Sequence, residues 1–202
     1  MLFNLYMNNP SSLQNIIYNY KKNYSDSFNS NIDKKIIKFC KLIENCWRKN
    51  KTIFIIGNGG SGANAQHIAN DFLYGAGISN NKGVKVEALV SNSAVITCLA
   101  NDINYESIFA EQLKVKANKN DLLLVLSGSG NSKNIINAIK QAKKMKVTTF
   151  GIIGYDGGYS KKILDENIHF NLNDMQVVED LQMFVCHVCC KWLSKKNFSK
   201  NK

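Results

Sequence analysis

Proline is nearly missing from this chain, one in 202 residues, and no Pro-rich or low-complexity linker divides it. No apolar run approaches the roughly 18 residues that a membrane span needs. The first residues lack the pattern of a secretory leader. The six cysteines, Cys40, Cys46, Cys98, Cys186, Cys189 and Cys190, lack the paired spacing of a disulfide scaffold. They predict free thiols in a reducing cytoplasm. Glycine is missing from residues 1–50, which removes the commonest helix breaker there. Acidic residues are in deficit, 15 against 26 basic, for a net charge of +11. The basic residues are almost all lysine and scattered, without the aromatic interleaving of a nucleic-acid motif. Such a field draws phosphorylated metabolites as readily as nucleic acid, and a specific nucleic-acid site is not expected.

What is present centres on Asp121 to Ser132. Residues 122–126 form an unbroken apolar run, the mark of a strand buried on both faces. The run ends in Ser127-Gly128-Ser129-Gly130-Asn131-Ser132, and a helical pattern follows through Ile135, Ile136, Ala138, Ile139 and Ala142. Strand, small-residue turn and helix make an anion pocket, because the first N–H groups of the helix are unpaired and its dipole favours negative charge. A phosphate monoester suits that turn. A helix merely capped by Ser129 or Ser132 is the alternative.

Residues 1–50 read as amphipathic helices, with a stop and start at Pro10-Ser11-Ser12 and a polar break over residues 23–31. Their apolar faces need the domain or another subunit to cover them. A strand over 52–56 leads into a second glycine turn, Gly57-Asn58-Gly59-Gly60-Ser61-Gly62, and a helix over 63–73. That turn is neither a Walker A loop nor a dinucleotide fingerprint. It leaves Asn58 and Ser61 as the side chains able to bond a ligand. Further strands are predicted over 84–89, 148–153 and, weakly, 168–172. Further helices are predicted over 94–100, 105–115, 131–145 and 175–193. Strands alternating with helices predict a doubly wound parallel sheet with both turns at its carboxyl edge. The whole is one domain: N-terminal helices 1–50, an α/β core 51–193 and a basic tail 194–202.

The histidines number three: His67, His169 and His187. His67 and Asp71 share a face of one predicted helix. Glu179 and His187, eight apart, are assigned to one face of the last. Two helices each offering a carboxylate and an imidazole can close a four-ligand metal site or divide acid and base roles. The alternative is a local role for His67 and a core role for His187 among Val185, Cys186 and Val188. Cys186, Cys189 and Cys190 read as small core residues rather than metal ligands.

Gly57-Asn58-Gly59-Gly60-Ser61, Ala65-Gln66-His67, Asn101-Asp102, the serine turn 127–132 and Asp156-Gly157-Gly158 together resemble the sugar isomerase (SIS) domain. More narrowly they resemble the phosphoheptose isomerases, over about residues 35–193. The resemblance implies a three-layer αβα sandwich on a five-stranded parallel sheet and a homotetramer with sites at subunit interfaces. It also implies conversion of sedoheptulose 7-phosphate to a heptose 7-phosphate for surface polysaccharides. It places the phosphate on Ser127, Ser129 and Ser132, and sugar hydroxyls near Asn58 and Ser61, with Glu179 also assigned to the substrate. By position it makes Asp71 and His187 the base and acid, and His67, Asp71, Glu179 and His187 the ligands of a zinc ion. Asp71 stands where the family has glutamate, Glu179 where it has glutamine, Gly75 where it often has arginine and Gly128 where it usually has threonine. A non-catalytic SIS protein that senses a sugar phosphate or assembles a partner is the rival expectation.

Overall fold

A computed structural model describes residues 12–80 and 82–196. The expected break at Pro10-Ser11 and the tail lysines Lys200 and Lys202 lie outside those residues. Five strands form one parallel sheet: β1 (Ile53–Ile56), β2 (Val86–Ala88), β3 (Leu122–Ser127), β4 (Thr148–Ile153) and β5 (Glu166–His169), in the order β2-β1-β3-β4-β5. Period-two alternation divides β3 between two cores. Leu122, Leu124 and Leu126 face one layer of helices with Phe39, Phe72 and Leu181. Leu123 and Val125 face the other with Phe109, Ile135 and Ile139. A strand buried on both faces has no polar side to write into its sequence, which is why the run is continuous.

The helices are α1 (Leu13–Asp26), α2 (Ser30–Arg48), α3 (Gly59–Leu73), α4 (Ser93–Asp102), α5 (Ile108–Lys116), α6 (Lys133–Lys144), α7 (Gly158–Ile163) and α8 (Met175–Ser194). Short 3-10 turns cover Gly75–Asn80 and Tyr105–Ser107. The N-terminal helices lie on α8. Tyr20 donates its hydroxyl to Asp180 at 2.6 Å, and Phe28 meets Phe184 edge-on, ring centres 4.7 Å apart. The outer face of α1 leaves Leu13, Ile16 and Ile17 exposed. Among the described residues no helix is long and apolar enough to cross a membrane.

Several boundaries differ from the sequence reading. The polar break is only Ser27 to Asn29, because Asn29 caps α2 by accepting the N–H groups of Asn31 and Ile32. Helix α3 begins at Gly59, inside the glycine turn rather than after it. Asn101 and Asp102, beyond the predicted 94–100 helix, form the last turn of α4. The edge strand is Glu166–His169; Phe170 follows it, its N–H making a last bond to the Ile153 carbonyl at 2.9 Å, and its side chain is buried in the core. Helix α7 follows Gly157, where no helix is predicted. Ser194, assigned to the tail, ends α8.

Candidate active site

Strand order reverses between β1 and β3, so the turns that leave them, toward α3 and α6, flank the switch point of the sheet. Between them lies a cleft of about 250 Å³ lined by Asn58, Gly59, Gly60, Ser61, Ser127, Gly128, Ser129, Ser132, Met175 and Glu179, among others. All six side chains assigned to substrate from the sequence therefore meet in one place. Ser132 occupies the N-cap of α6 but makes no side-chain capping bond, and Asn58 at the N-cap of α3 makes none either. The capping alternative for Ser132 thus does not describe this turn. The Ser129 hydroxyl accepts the N–H of Asn131 at 3.3 Å, inside the turn. The Ser127 hydroxyl accepts the N–H of Gly130 at 3.1 Å. Accepting those bonds leaves each hydroxyl proton free to donate to an anion. Among the described residues no lysine, arginine or histidine lines the cleft, so an anion there would be held by helix N-termini and hydroxyls.

Gly128 is where the family's threonine is usual, and Met175 fills that space. A Cβ on Gly128 would lie 2.3 Å from the Met175 sulfur. Glu179 does the same at the other turn, its carboxylate resting on Gly60, where an added Cβ would be 2.2 Å from Oε2. Ser61 is buried and accepts from Gln182 Nε2 at 3.1 Å. Asn64 donates to Gln182 Oε1 and to the Glu179 carbonyl at 3.1 and 3.0 Å. Helices α3 and α8 thus run side by side in parallel, Gly60 against Glu179, Asn64 against Gln182 and His67 against His187.

Further along that pair, three donors converge. His67 Nε2 and His187 Nε2 are 3.2 Å apart, and each is 3.5 Å from Asp71 Oδ2. His187 is therefore not a core histidine, but faces this cluster at the surface. Glu179 is the exception to the expected four-residue set: His67, Asp71 and His187 form the group, and Glu179 is not in it. Eight residues of helix rise about 12 Å, so Glu179 reaches the Gly60 turn instead. A mutual repulsion between Asp71 and Glu179, which a four-residue site predicts, has no place in this arrangement. The cysteines are free, and Cys40, Cys46, Cys186 and Cys189 are buried. Burial pushes the Cys186 thiol up, as suits a core residue.

Asn64, Gln182, Asn134 and Tyr105 escaped the sequence reading, although they orient the cleft. The signal available for Gln182 was a polar residue on the apolar face of a helix, between Val178 and Val185.

Glu179 lines the same cleft as Ser127, Ser129 and Ser132, so its charge would oppose an anion bound there. Glu179→Gln is expected to tighten binding of inorganic phosphate about three- to tenfold at low ionic strength. The gain should shrink at high salt. Phosphate titration by calorimetry at two salt concentrations measures both.

The pattern of the SIS domain matches residues 18–154. The phosphoheptose isomerase of Sulfurimonas denitrificans is 33% identical over 170 residues, 84% of this chain and 87% of that relative. The one of Helicobacter pylori (strain Shi470) is 35% identical over 160 residues, 79% of this chain and 82% of the relative. The solved phosphoheptose isomerase of Francisella tularensis superposes with a TM-score of 0.83 at 23% identity, covering 91% of this chain and 97% of that one. This chain belongs to the SIS domain family, in the branch of isomerases formed by the phosphoheptose isomerases.

Proposed function

We propose that the protein is an aldose–ketose isomerase that converts sedoheptulose 7-phosphate to a heptose 7-phosphate used for surface polysaccharide. One observation carries this reading: the phosphate cleft and the His67–Asp71–His187 cluster lie on the same parallel helix pair. Gly60 and His67 are about 10 Å apart along α3 at helical rise. An extended seven-carbon chain, at about 1.5 Å per bond, has a similar reach. The phosphate on Ser127, Ser129 and Ser132 at one end would bring the first two carbons to the cluster at the other, with Asn58 and Ser61 along the way.

The reaction moves a proton between neighbouring carbons and the carbonyl the opposite way, through an enediol. Asp71 takes the proton from carbon and returns it to the neighbour. His187 moves the proton between the two oxygens. Both side chains are partly exposed beside one another, as a base and acid sharing one substrate must be.

The cluster also fits a zinc ion. Two imidazole nitrogens and a carboxylate oxygen are a usual catalytic zinc set, and bonds of about 2.0–2.1 Å in a tetrahedron place donors about 3.3 Å apart. The separations here are 3.2, 3.5 and 3.5 Å. His67, Asp71 and His187 would hold the ion, and when bound it would polarise a substrate carbonyl.

The whole chain is read as one SIS domain acting in the cytoplasm, with its six thiols free. The exposed Leu13, Ile16 and Ile17 of α1 support assembly, read as a homotetramer. Incubation with sedoheptulose 7-phosphate followed by NMR tests the reading, and a heptose 7-phosphate is the expected product. Saturable binding without product would instead favour the sensor or assembly role.

A further inference from the structure

The amide of Asn58 is held from three sides. Its Oδ1 accepts from Asn134 Nδ2 at 2.8 Å and from the Tyr105 hydroxyl at 3.1 Å. Its Nδ2 donates to Asn134 Oδ1 at 2.9 Å. Asn134 Oδ1 also accepts the backbone N–H of Ile135 at 2.9 Å. That backbone group can only donate, so it fixes which end of Asn134 is oxygen, and hence which end of Asn58 is. A primary amide has two acceptor positions and two N–H groups. Among the described residues, both acceptor positions of Asn58 are spent and one N–H remains, on a side chain that lines the cleft.

The three residues come from three places around the switch point: Asn58 from the turn after β1, Asn134 from the first turn of α6, and Tyr105 from the turn before α5. The segment carrying Tyr105 is itself tied to α6. Asn137 Nδ2 donates to the Glu106 carbonyl at 3.1 Å, and Lys133 pairs with the Glu106 carboxylate at 2.8 Å. The Asn134 side chain is buried, and a buried polar pair left half-made is costly.

We propose that Asn134 and Tyr105 are positioning residues that lock Asn58 as a donor only, presenting one N–H to an acceptor oxygen of the phosphorylated substrate. The proposal rests on the isomerase reading for the identity of the substrate, but not for the binding it predicts. A phosphate or carbonyl oxygen satisfies that N–H. A group that can only donate does not.

Tyr105→Phe keeps the ring and removes one of the bonds that orient Asn58. A neutral hydrogen bond of about 0.5–1.5 kcal/mol corresponds to roughly two- to tenfold in affinity. The Kd and KM for sedoheptulose 7-phosphate should rise by that factor, with kcat within about twofold and melting temperature unchanged. In an Asn58→Ala background, Tyr105→Phe should add nothing to Kd, since the amide it positions is gone. Asn134→Asp replaces a donor by an acceptor and should weaken binding further. Because that change also touches a buried pair, Tyr105→Phe is the deciding arm. Calorimetry with sedoheptulose 7-phosphate and with inorganic phosphate reads Kd without turnover, so a failure to form product would overturn the isomerase reading alone. A wild-type Kd in Tyr105→Phe, an undiminished effect of that change in the Asn58→Ala background, or a wild type that binds neither probe would overturn this proposal.

Discussion

Asp71→Asn is expected to lower kcat with sedoheptulose 7-phosphate by about 10²–10⁴, the usual worth of a placed base. The substitution keeps the size of the side chain and removes its basicity. The Kd for the sugar phosphate should stay within a fewfold of wild type, because the serines proposed to hold the phosphate lie at the other end of the α3–α8 pair. His187→Ala should show the same split. Asp71→Glu is informative in the other direction. It restores the family's usual glutamate, and the added methylene tests how tightly the 3.5 Å spacings to both imidazoles are set. Turnover by NMR and binding by calorimetry separate the two effects. Full activity in Asp71→Asn would remove Asp71 from the role of base.

The second large effect concerns the metal. Zinc held at 100 times its Kd should stabilise the fold by about 2.7 kcal/mol. For a chain of this size that is a rise of about 5–10 °C in melting temperature. His67→Ala removes one of three donors and should abolish the rise. Glu179→Gln should leave it intact, since the Glu179 carboxylate rests on Gly60 and outside the donor cluster. Loss of the rise in Glu179→Gln would mean that Glu179 swings to the ion as a fourth ligand. Protein purified without chelator or metal-affinity tag should carry zinc on elemental analysis. Under about a tenth of an equivalent, with no thermal shift on adding zinc, would rule the site out.

The sequence was most legible where one physical demand acted alone. The 148–153 strand coincides with β4, and the predicted 175–193 helix falls one residue short of α8. Both are long segments with a single burial pattern. The glycine turn hid the start of α3 because glycine opposes helix on propensity. At Gly60 the lack of a side chain is what lets the Glu179 carboxylate approach, and tertiary contact overrides propensity. Strand β5 was displaced because Phe170 and Leu172 look like strand interior, yet the pairing with β4 ends with the Phe170 N–H on Ile153, and Leu172 is only partly buried against the core. At the site, each half of His67–Asp71 and the serine turn could be read locally. The separation of Glu179 from His187 could not. Eight residues return only near the same face, and the two turns of rise between them decide which partner each meets. The Asn58–Asn134–Tyr105 network joins three distant segments, so no local pattern announced it.

The parallel seating of α3 against α8 makes the length of these helices a functional quantity. One residue inserted between Glu179 and His187 would turn His187 by about 100° and push it about 1.5 Å onward. The imidazole would leave His67 and Asp71 while every residue type remained in place. The same holds between Gly60 and His67. Such an insertion would leave the sheet folded and the serine turn intact, yet unmake the cluster. Homologues that keep the chemistry should therefore vary in the residues along these two stretches but not in their number, with gaps confined to the loops outside them.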